Sequence, residues 1–185
     1  MNGAISKCLW SGTAAYAKVR TSHVLLLAVF VAALASSVAS AASLEGLVVS
    51  VSDGDTLTVL DEEKVQHKVR LAGIDAPEKR QAFGARAQQA LGAAVHRQSV
   101  SVVWQKKDRY GRIVGKVLVQ GQDVGLSLVG SGLAWHYKAY EREQSASDRG
   151  AYAQAEVIAR SRRLGLWRDD DPMPPWDFRK RPRAK

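Results

Sequence analysis

Apolar and polar residues alternate in several parts of the chain, as they do in strands that turn one face to a core. The runs with this pattern are residues 47–51, 65–71, 99–104 and 112–119. In the first run the alternating apolar residues are Leu47, Val49 and Val51, and the turn-prone pair Asp53-Gly54 follows them. We therefore predict about five strands joined as a meander.

Three segments indicate helices. In the first, apolar residues recur three or four positions apart, at Phe83, Ala87, Ala90, Leu91, Ala94 and Val95. Asp123 can cap a second, short helix that runs through Val129 and ends at glycines. The third helix spans residues 148–163, has Gly165 placed to stop it, and presents one apolar face, formed by Ala151, Tyr152, Ala155, Ile158 and Ala159.

These elements predict an α+β fold. A helix after the third of five strands is the order of an OB-type barrel. We therefore expect a five-stranded OB-fold-type β-barrel with about three helices, in a domain that spans residues 42–168. The 185 residues of the chain suit one such domain.

Residues 1–41 have the layout of a secretory signal peptide. They hold three basic residues and no acidic one, followed by an apolar run at residues 24–34 and then small residues. That run is about a dozen residues, whereas a membrane-spanning helix needs roughly 20, so cleavage is favoured over anchoring. Ala39 and Ala41 fit a cleavage site that puts the mature start near Ala42. We expect a secreted or periplasmic protein, held at the membrane only if this segment stays uncleaved.

The chain is basic, with 27 Lys and Arg residues against 18 Asp and Glu and a net charge of +9. Loss of residues 1–41 would remove three basic residues and leave 24 against 18, a net charge of +6. Such a charge suits a polyanionic partner, although it also serves solubility alone. The only cysteine, Cys8, lies in the removed segment, so the mature domain must rely on its core rather than on disulfides. We expect a monomer without a stable protein partner.

Residues 169–185 form a Pro-rich basic tail in which three aspartates precede three prolines and five basic residues. We interpret it as a solvated end of the chain. The alternative is an electrostatic tether that concentrates nucleic acid near the domain. Trp176 and Phe178 are the residues that could pin its first part to the domain.

Four carboxylates fall at predicted strand ends, those of Asp53, Asp55, Asp75 and Glu78. Carboxylate and carbonyl oxygens bind hard cations such as Ca²⁺ or Mg²⁺, whereas zinc prefers His or Cys, and no His is close to these residues in sequence. A metal at this site is therefore expected to be a hard cation. Taken alone, Asp53-Gly54 indicates only a hairpin turn.

Two arginines belong to the same strand ends. On an extended strand Arg70 points opposite to Val69 and Leu71, away from the core, and Arg112 begins a later strand. Guanidinium groups can stabilise the negative charge that builds on nonbridging oxygens during phosphodiester hydrolysis. Glu78 is the candidate general base that activates a water molecule. Taken singly, each arginine is more typical of a surface salt bridge.

Three motifs carry these residues in order: VSDGDT (residues 51–56), VRLAGIDAPE (residues 69–78) and DRYGR (residues 108–112). Together they resemble the thermonuclease family, the staphylococcal nuclease homologues. The resemblance extends over roughly residues 44–167 and includes GLA at residues 132–134 and GLW at residues 165–167.

The resemblance implies an OB-fold, Ca²⁺-dependent endonuclease that cuts DNA and RNA with little sequence preference and leaves 3′-phosphate ends. The residues it assigns to catalysis are Arg70, Glu78 and Arg112. Those it assigns to the metal are Asp55, Asp75 and, through its backbone carbonyl, Ala76. Asp53 is expected to contact these ligands rather than the ion. Mg²⁺ accepts the same oxygen ligands and stays open as an alternative.

The resemblance also implies four substrate-binding residues: Arg109, Tyr110, Tyr137 and Tyr140. Tyr110 corresponds to a tyrosine beside the bound nucleotide, and either Tyr137 or Tyr140 supplies a stacking ring, since two alignments fit there. An aromatic ring binds any base through its π-face, which suits an unselective enzyme. Packing within the barrel is the alternative role for these rings. The histidines that pair with no motif, and are expected to be structural or at the surface, are His67, His96 and His136.

A noncatalytic nucleic-acid-binding module on the same barrel is the second functional class. Such a module is expected to lose part of the catalytic set. Because Arg70, Glu78, Arg112 and the aspartates are all present, the sequence favours the enzyme.

Overall fold

A computed structural model describes residues 42–181. The predicted signal peptide and residues 182–185 of the predicted tail lie outside the described residues. The strands are β1 (Ala42–Val51), β2 (Thr56–Leu60), β3 (Gln66–Leu71), β4 (Ile74–Asp75), β5 (Ser99–Lys107), β6 (Ile113–Val119), β7 (Gln122–Asp123) and β8 (Trp135–His136). The α-helices are α1 (Gly84–Val95), α2 (Val124–Gly130), α3 (Ala146–Ser161) and α4 (Pro175–Phe178). The 3₁₀ helices are η1 (Lys138–Glu143) and η2 (Gly165–Arg168).

Five long strands form a closed barrel. Strands β3, β2, β1, β5 and β6 are hydrogen-bonded in that order, and a parallel pairing between β3 and β6 closes the ring. Helix α1 follows the third long strand, as predicted, and the α+β, five-stranded OB-type barrel is therefore confirmed. Strand β7 adds to the edge of β6, while β4 and β8 form a separate small sheet. Within residues 42–181, no helix has the length and apolarity that a membrane span requires.

The main core fills the barrel and the space beneath α1. Its fully buried side chains include Leu57, Val59, Val69, Leu91, Val95 and Val102. Helix α1 contributes Ala87, Leu91 and Val95, three positions of the predicted stripe. Ala94, which was also predicted to belong to it, is exposed. The helix therefore buries a narrower face than the sequence suggested.

The predicted register of β1 is wrong by one residue over its first half. Val48 is completely buried, whereas Leu47 has 41% of its surface exposed. Pairing with β2 is irregular between Val48 and Ser50, as at a β-bulge. A bulge adds one residue to one strand and reverses which side chains face inward beyond it. Simple alternation across Leu47, Val49 and Val51 therefore does not describe the strand.

Helix α3 begins two residues earlier than predicted, at Ala146, because the Ser145 hydroxyl caps it by accepting a hydrogen bond from the Asp148 backbone N–H at 3.0 Å. Its buried face is formed by Tyr152, Glu156 and Ala159. Two residues of the predicted face, Ala151 and Ile158, are exposed. The buried face is rotated because the Glu156 carboxylate accepts a bond from the His136 backbone N–H at 3.1 Å and pairs with Lys138.

A second, aromatic cluster lies beside the barrel and holds the last described part of the chain. The Trp135 ring contacts Trp167 and Trp176, at centroid distances of 4.3 Å and 5.5 Å. Trp176 also contacts Tyr137, at 5.3 Å, and the Gln81 side-chain amide donates to the carbonyl of Met173. We call residues 172–181 the C-terminal segment. Its first part is docked on the domain, through the Trp176 contact that the sequence suggested.

Candidate active site

One end of the barrel opens into a cavity of about 740 Å³. Its walls come from the turn between β1 and β2, the end of β3, the segment after β4, the loop between β5 and β6, and η1. The predicted site residues that line it are Asp53, Asp55, Arg70, Ala76, Glu78, Arg109, Tyr110, Arg112, Tyr137 and Tyr140. Asp75, the remaining one, is fully buried behind this wall. The structure therefore brings the whole predicted set to one place.

The tight turn between β1 and β2 presents Asp55. The Ser52 backbone N–H donates to the Thr56 carbonyl at 2.9 Å, and the Asp55 N–H donates to Asp53 Oδ1 at 3.2 Å. A Cβ on Gly54 would lie 2.7 Å from the Cβ atoms of Ala76 and Ala87, so only glycine lets this turn approach them. Asp53 thus contacts Asp55, the kind of supporting position that the resemblance implied for it.

Arg70 links the two aspartates that were predicted to bind metal. Its Nη1 donates to Asp55 Oδ2 at 2.7 Å and its Nη2 to Asp75 Oδ1 at 3.1 Å. Thr56 and Arg70 are opposite each other in the β2–β3 ladder, which explains how residues 15 positions apart meet. Val69 and Leu71 are buried, so Arg70 points away from the core as predicted.

The environment of Asp55 disfavours the ionised form of its carboxyl group. Burial, the largest cause, and the nearby charges of Asp53 and Asp75 raise its pKa from 3.8 to about 7, against the opposing attraction of Arg70. Only 6% of its surface is exposed. A buried carboxylate that one guanidinium does not fully neutralise favours a further cation beside it.

Asp75 and Glu78 share a partner that the sequence did not predict. Arg179, from the C-terminal segment, donates to Asp75 Oδ2 at 2.7 Å and to Asp75 Oδ1 at 3.2 Å. The same guanidinium donates to Glu78 Oε1 at 2.8 Å. These bonds raise the pKa of Arg179 further above its ordinary value, so the group is a permanent charge at the site. Arg179 also lines the cavity.

Arg112 reaches the cavity from the start of β6, and Asp108 holds it there. Asp108 Oδ2 accepts from Arg112 Nε at 2.7 Å, and Asp108 Oδ1 accepts from the backbone N–H groups of Tyr110 and Arg112 at 2.9 and 3.0 Å. Burial alone would raise the pKa of Asp108, but the bonds from Arg112 and the backbone outweigh it and lower that pKa. Arg112 Nη1 donates to the Thr56 hydroxyl at 3.4 Å, and the side chain lines the cavity.

Aromatic rings stand at the rim of the cavity. Tyr110 has 69% of its surface exposed, with the guanidinium groups of Arg109 and Arg112 at 5.0 and 5.6 Å from its ring centroid. Tyr137 and Tyr140 form an edge-on pair with centroids 5.2 Å apart. Tyr140 is half exposed, whereas Tyr137 is partly buried and packs against Trp176. Of the two alternatives for a stacking ring, Tyr140 is therefore the more accessible.

The donor set suits a hard cation in type but is not arranged as a closed cage. Asp55 and Asp75 bond the same guanidinium group, and the Ala76 backbone N–H is 3.4 Å from Asp55 Oδ2. In the part of the chain that the structure describes, no cluster of three or more His, Cys, Asp or Glu side chains has metal-binding geometry. The chemistry of the oxygens and the unbalanced charge of Asp55 fit Ca²⁺ or Mg²⁺.

Comparison with known families agrees with this geometry. The family described as staphylococcal nuclease homologue matches residues 68–169, which include Arg70, Asp75, Glu78 and Arg112. The chain belongs to the staphylococcal nuclease family. The matched region begins within β3 and ends just after η2, so it covers most of β3, all of β5 and β6 and helices α1 to α3, but neither β1 nor β2.

Relatives of this family member include bacterial proteins of similar length. A Haemophilus influenzae protein named uncharacterized endonuclease is 41% identical over 133 residues, which are 72% of this chain and 71% of the relative. Protein ParB of Escherichia coli is 40% identical over 173 residues, 88% of this chain and 94% of the relative. A Shigella flexneri protein named micrococcal nuclease is 39% identical over 153 residues, 78% and 85% of the two chains.

Sequence reasoning missed two charged residues of this staphylococcal nuclease site. Asp108 appeared in a motif but received no role, although it is the partner of Arg112. Arg179 was counted in the basic run of the tail, whereas it contacts Asp75 and Glu78. The sequence Trp176-Asp177-Phe178, directly before Arg179, is the signal that could have indicated this role. Aromatic residues that pack on the domain fix the position of the residues that follow them.

Proposed function

We propose that this protein is a metal-dependent endonuclease that hydrolyses the phosphodiester bonds of DNA and RNA with little sequence preference. The observation that carries the proposal is the convergence of Arg70, Arg112 and Glu78 with buried aspartates in one open cavity. The family membership and the nuclease names of several relatives support the same class of reaction.

The arginines are the groups that hold the substrate phosphate in this proposal. A phosphodiester undergoing attack gains negative charge on its nonbridging oxygens, and planar guanidinium groups bind such oxygens through two parallel hydrogen bonds. Arg70 and Arg112 approach the cavity from neighbouring strands, β3 and β6, which are paired at Arg70 and Val114. Asp108 keeps Arg112 extended toward the cavity, so little side-chain entropy remains to be lost on binding.

Glu78 is the general base. It follows β4, and its side chain is 40% exposed and faces the cavity, so water can reach it. Its carboxylate takes a proton from the water molecule whose oxygen attacks phosphorus. The bond from phosphorus to the 5′-oxygen breaks, that oxygen takes a proton from solvent, and the products are a 3′-phosphate and a 5′-hydroxyl.

Asp55, Asp75 and the carbonyl of Ala76 are the groups that would hold a cation, with Ca²⁺ as the proposed ion and Mg²⁺ as the alternative. When bound, a divalent cation offsets the charge of the phosphate and lowers the pKa of nearby water. The raised pKa of Asp55 supports this role, because the buried carboxylate needs a second counter-charge to ionise fully.

The rim explains how a substrate could bind without base selection. Tyr110 and Tyr140 offer exposed rings, on which any base can stack. Arg109 beside Tyr110 adds a positive charge near the backbone of the nucleic acid. Neither contact reads the edge of a base, so sequence preference should be weak.

We also propose that the protein is exported and acts as a monomer. The proposal of export rests on the signal-peptide layout of residues 1–41. Mass spectrometry of the protein recovered from a secreting bacterial host tests it, with a mature start near Ala42 expected. A chain that keeps residues 1–41 and stays with the membrane fraction would replace export by membrane attachment.

Degradation of plasmid DNA and of RNA by the purified protein tests the reaction, in Ca²⁺, in Mg²⁺ or in chelator. Glu78→Gln is the inactive control, and Glu63→Gln, at an exposed position between β2 and β3, is the matched substitution away from the cavity. Cation-dependent loss of both polymers with the parent and Glu63→Gln, but not with Glu78→Gln, is the expected result. Binding without cleavage under any cation would indicate a noncatalytic nucleic-acid-binding module.

A further inference from the structure

The C-terminal segment is part of the cavity wall rather than an appendage. Trp176 packs between Trp135 and Tyr137, and Pro175 is buried. This docking brings Arg179 within hydrogen-bond distance of two carboxylates that lie about a hundred residues earlier in the chain. A side chain held this way has a defined position relative to the catalytic groups.

Arg179 covers the oxygens that the proposed cation would need. Asp75 is completely buried, and both its oxygens accept from arginines: Oδ1 from Arg70 and Arg179, and Oδ2 from Arg179. Glu78 Oε1 is bonded to the same guanidinium. A divalent cation bound to Asp75 would repel the Arg179 guanidinium, because both are positively charged. Each therefore weakens the binding of the other to this carboxylate.

Arg179 can form an alternative contact within the same cavity. Its side chain is 43% exposed and lines the cavity together with Arg70 and Arg112. A guanidinium released from Asp75 and Glu78 would remain tethered there by Trp176, facing the space in which a phosphate would bind. Arginine binds carboxylate and phosphate with the same planar fork, so the exchange of one for the other needs no new chemistry.

We propose that Arg179 is a third arginine of this active site, which exchanges its bonds to Asp75 and Glu78 for the substrate phosphate when a divalent cation binds. In the cation-free protein Arg179 neutralises the two carboxylates. In the cation-loaded protein it is a substrate-binding residue and leaves Glu78 free to accept a proton. This inference rests on the proposed function, because it takes its cation and its phosphate from there.

Two binding measurements test the exchange without any turnover. Calorimetric titration of the purified protein with CaCl₂, in the absence of nucleic acid, measures cation affinity. Titration with a labelled phosphorothioate oligonucleotide in CaCl₂ measures substrate affinity, because this probe keeps the backbone charge and resists hydrolysis. Arg179→Gln should bind Ca²⁺ on the order of 10-fold more tightly, since a competing charge-assisted contact is gone, and the oligonucleotide on the order of 10-fold more weakly.

Matched variants separate this mechanism from simple charge removal. Arg181→Gln makes the same charge change at an exposed position two residues further on, and both affinities should stay close to those of the parent. Trp176→Ala retains every charge but loosens the segment, and Ca²⁺ should bind it more tightly than the parent. Arg179→Lys should recover part of the oligonucleotide affinity.

The opposite results would overturn the proposal. Unchanged or weaker Ca²⁺ binding by Arg179→Gln would show that Arg179 does not compete with a cation. No Ca²⁺ binding by any variant would show that no cation binds for which Arg179 could exchange its bonds. Unchanged or tighter oligonucleotide binding would show that it only blocks the site. A parent that fails to cut nucleic acid would instead refute the proposed function, and these binding titrations report on Arg179 separately from that result.

Discussion

Asp55 should make the cation-free protein less stable as the pH rises. Its pKa is about 7 in the folded protein against 3.8 for an ordinary aspartate. The folded state therefore holds the proton more tightly than the unfolded state. The contribution of Asp55 to stability is fully present below about pH 4 and is lost as the pH rises to about 7. The two pKa values differ by about 3, so at about 1.4 kcal/mol per pKa unit the loss is about 4 kcal/mol.

Asp55→Asn isolates this contribution, because asparagine has the same size and does not titrate. The free energy of unfolding of both proteins, measured by denaturant titration in chelator from about pH 4 to about pH 8, gives the difference between them at each pH. Relative to Asp55→Asn, the parent should lose stability steadily across this range. Parallel curves for the two proteins would refute the inference that burial raises the pKa of Asp55.

A cation should reverse the effect. In the proposed site Ca²⁺ would bind the ionised carboxylate, so its affinity for the parent should fall as the pH is lowered below about 7. Addition of Ca²⁺ at about pH 8 should raise the stability of the parent and leave Asp55→Asn nearly unchanged. Equal stabilisation of the two proteins would place the cation away from Asp55.

Other substitutions separate catalysis, substrate binding and stability. Arg112→Ala should lower kcat by about 10²- to 10³-fold in steady-state cleavage assays, as expected for one transition-state donor; near-normal turnover would remove it from the site. Tyr110→Ala, at a largely exposed position, should raise KM by about 10-fold with the melting temperature unchanged, since one stacking contact is lost. Leu91→Ala, in the completely buried face of α1, should reduce the free energy of unfolding by about 2–5 kcal/mol in denaturant titrations. The kcat of its folded fraction should stay at the parental value.

The barrel and the position of the site follow from local sequence patterns. Alternation predicted the strands, the stripe at Ala87, Leu91 and Val95 predicted α1, and Asp123 predicted the start of α2. The motifs around Asp55, Arg70 and Arg112 predicted that these residues meet, because each falls at a strand end on the same side of the barrel. Such features depend on neighbours in sequence or on the order of strands.

Features that depend on tertiary contacts could not be predicted. The bulge in β1 arises from its pairing with β2, and periodicity alone does not contain it. Glu156 is buried because Lys138 and the His136 backbone satisfy it, whereas a glutamate in a helical pattern is expected to face solvent. The aromatic residues before Arg179 indicate an anchored segment, but the contact of Arg179 with Asp75 depends on where Trp176 packs, which is beside Trp135.

Cleavage of a labelled oligonucleotide in a single turnover, by the parent and by Glu78→Gln at saturating protein and Ca²⁺, tests the central claim most directly. This design removes differences in affinity and product release, so it reports the hydrolytic step itself. The account predicts that Glu78→Gln binds the oligonucleotide and cuts it at least about 10²-fold more slowly than the parent. Cleavage by Glu78→Gln at the parental rate would contradict the assignment of this cavity as the hydrolytic site.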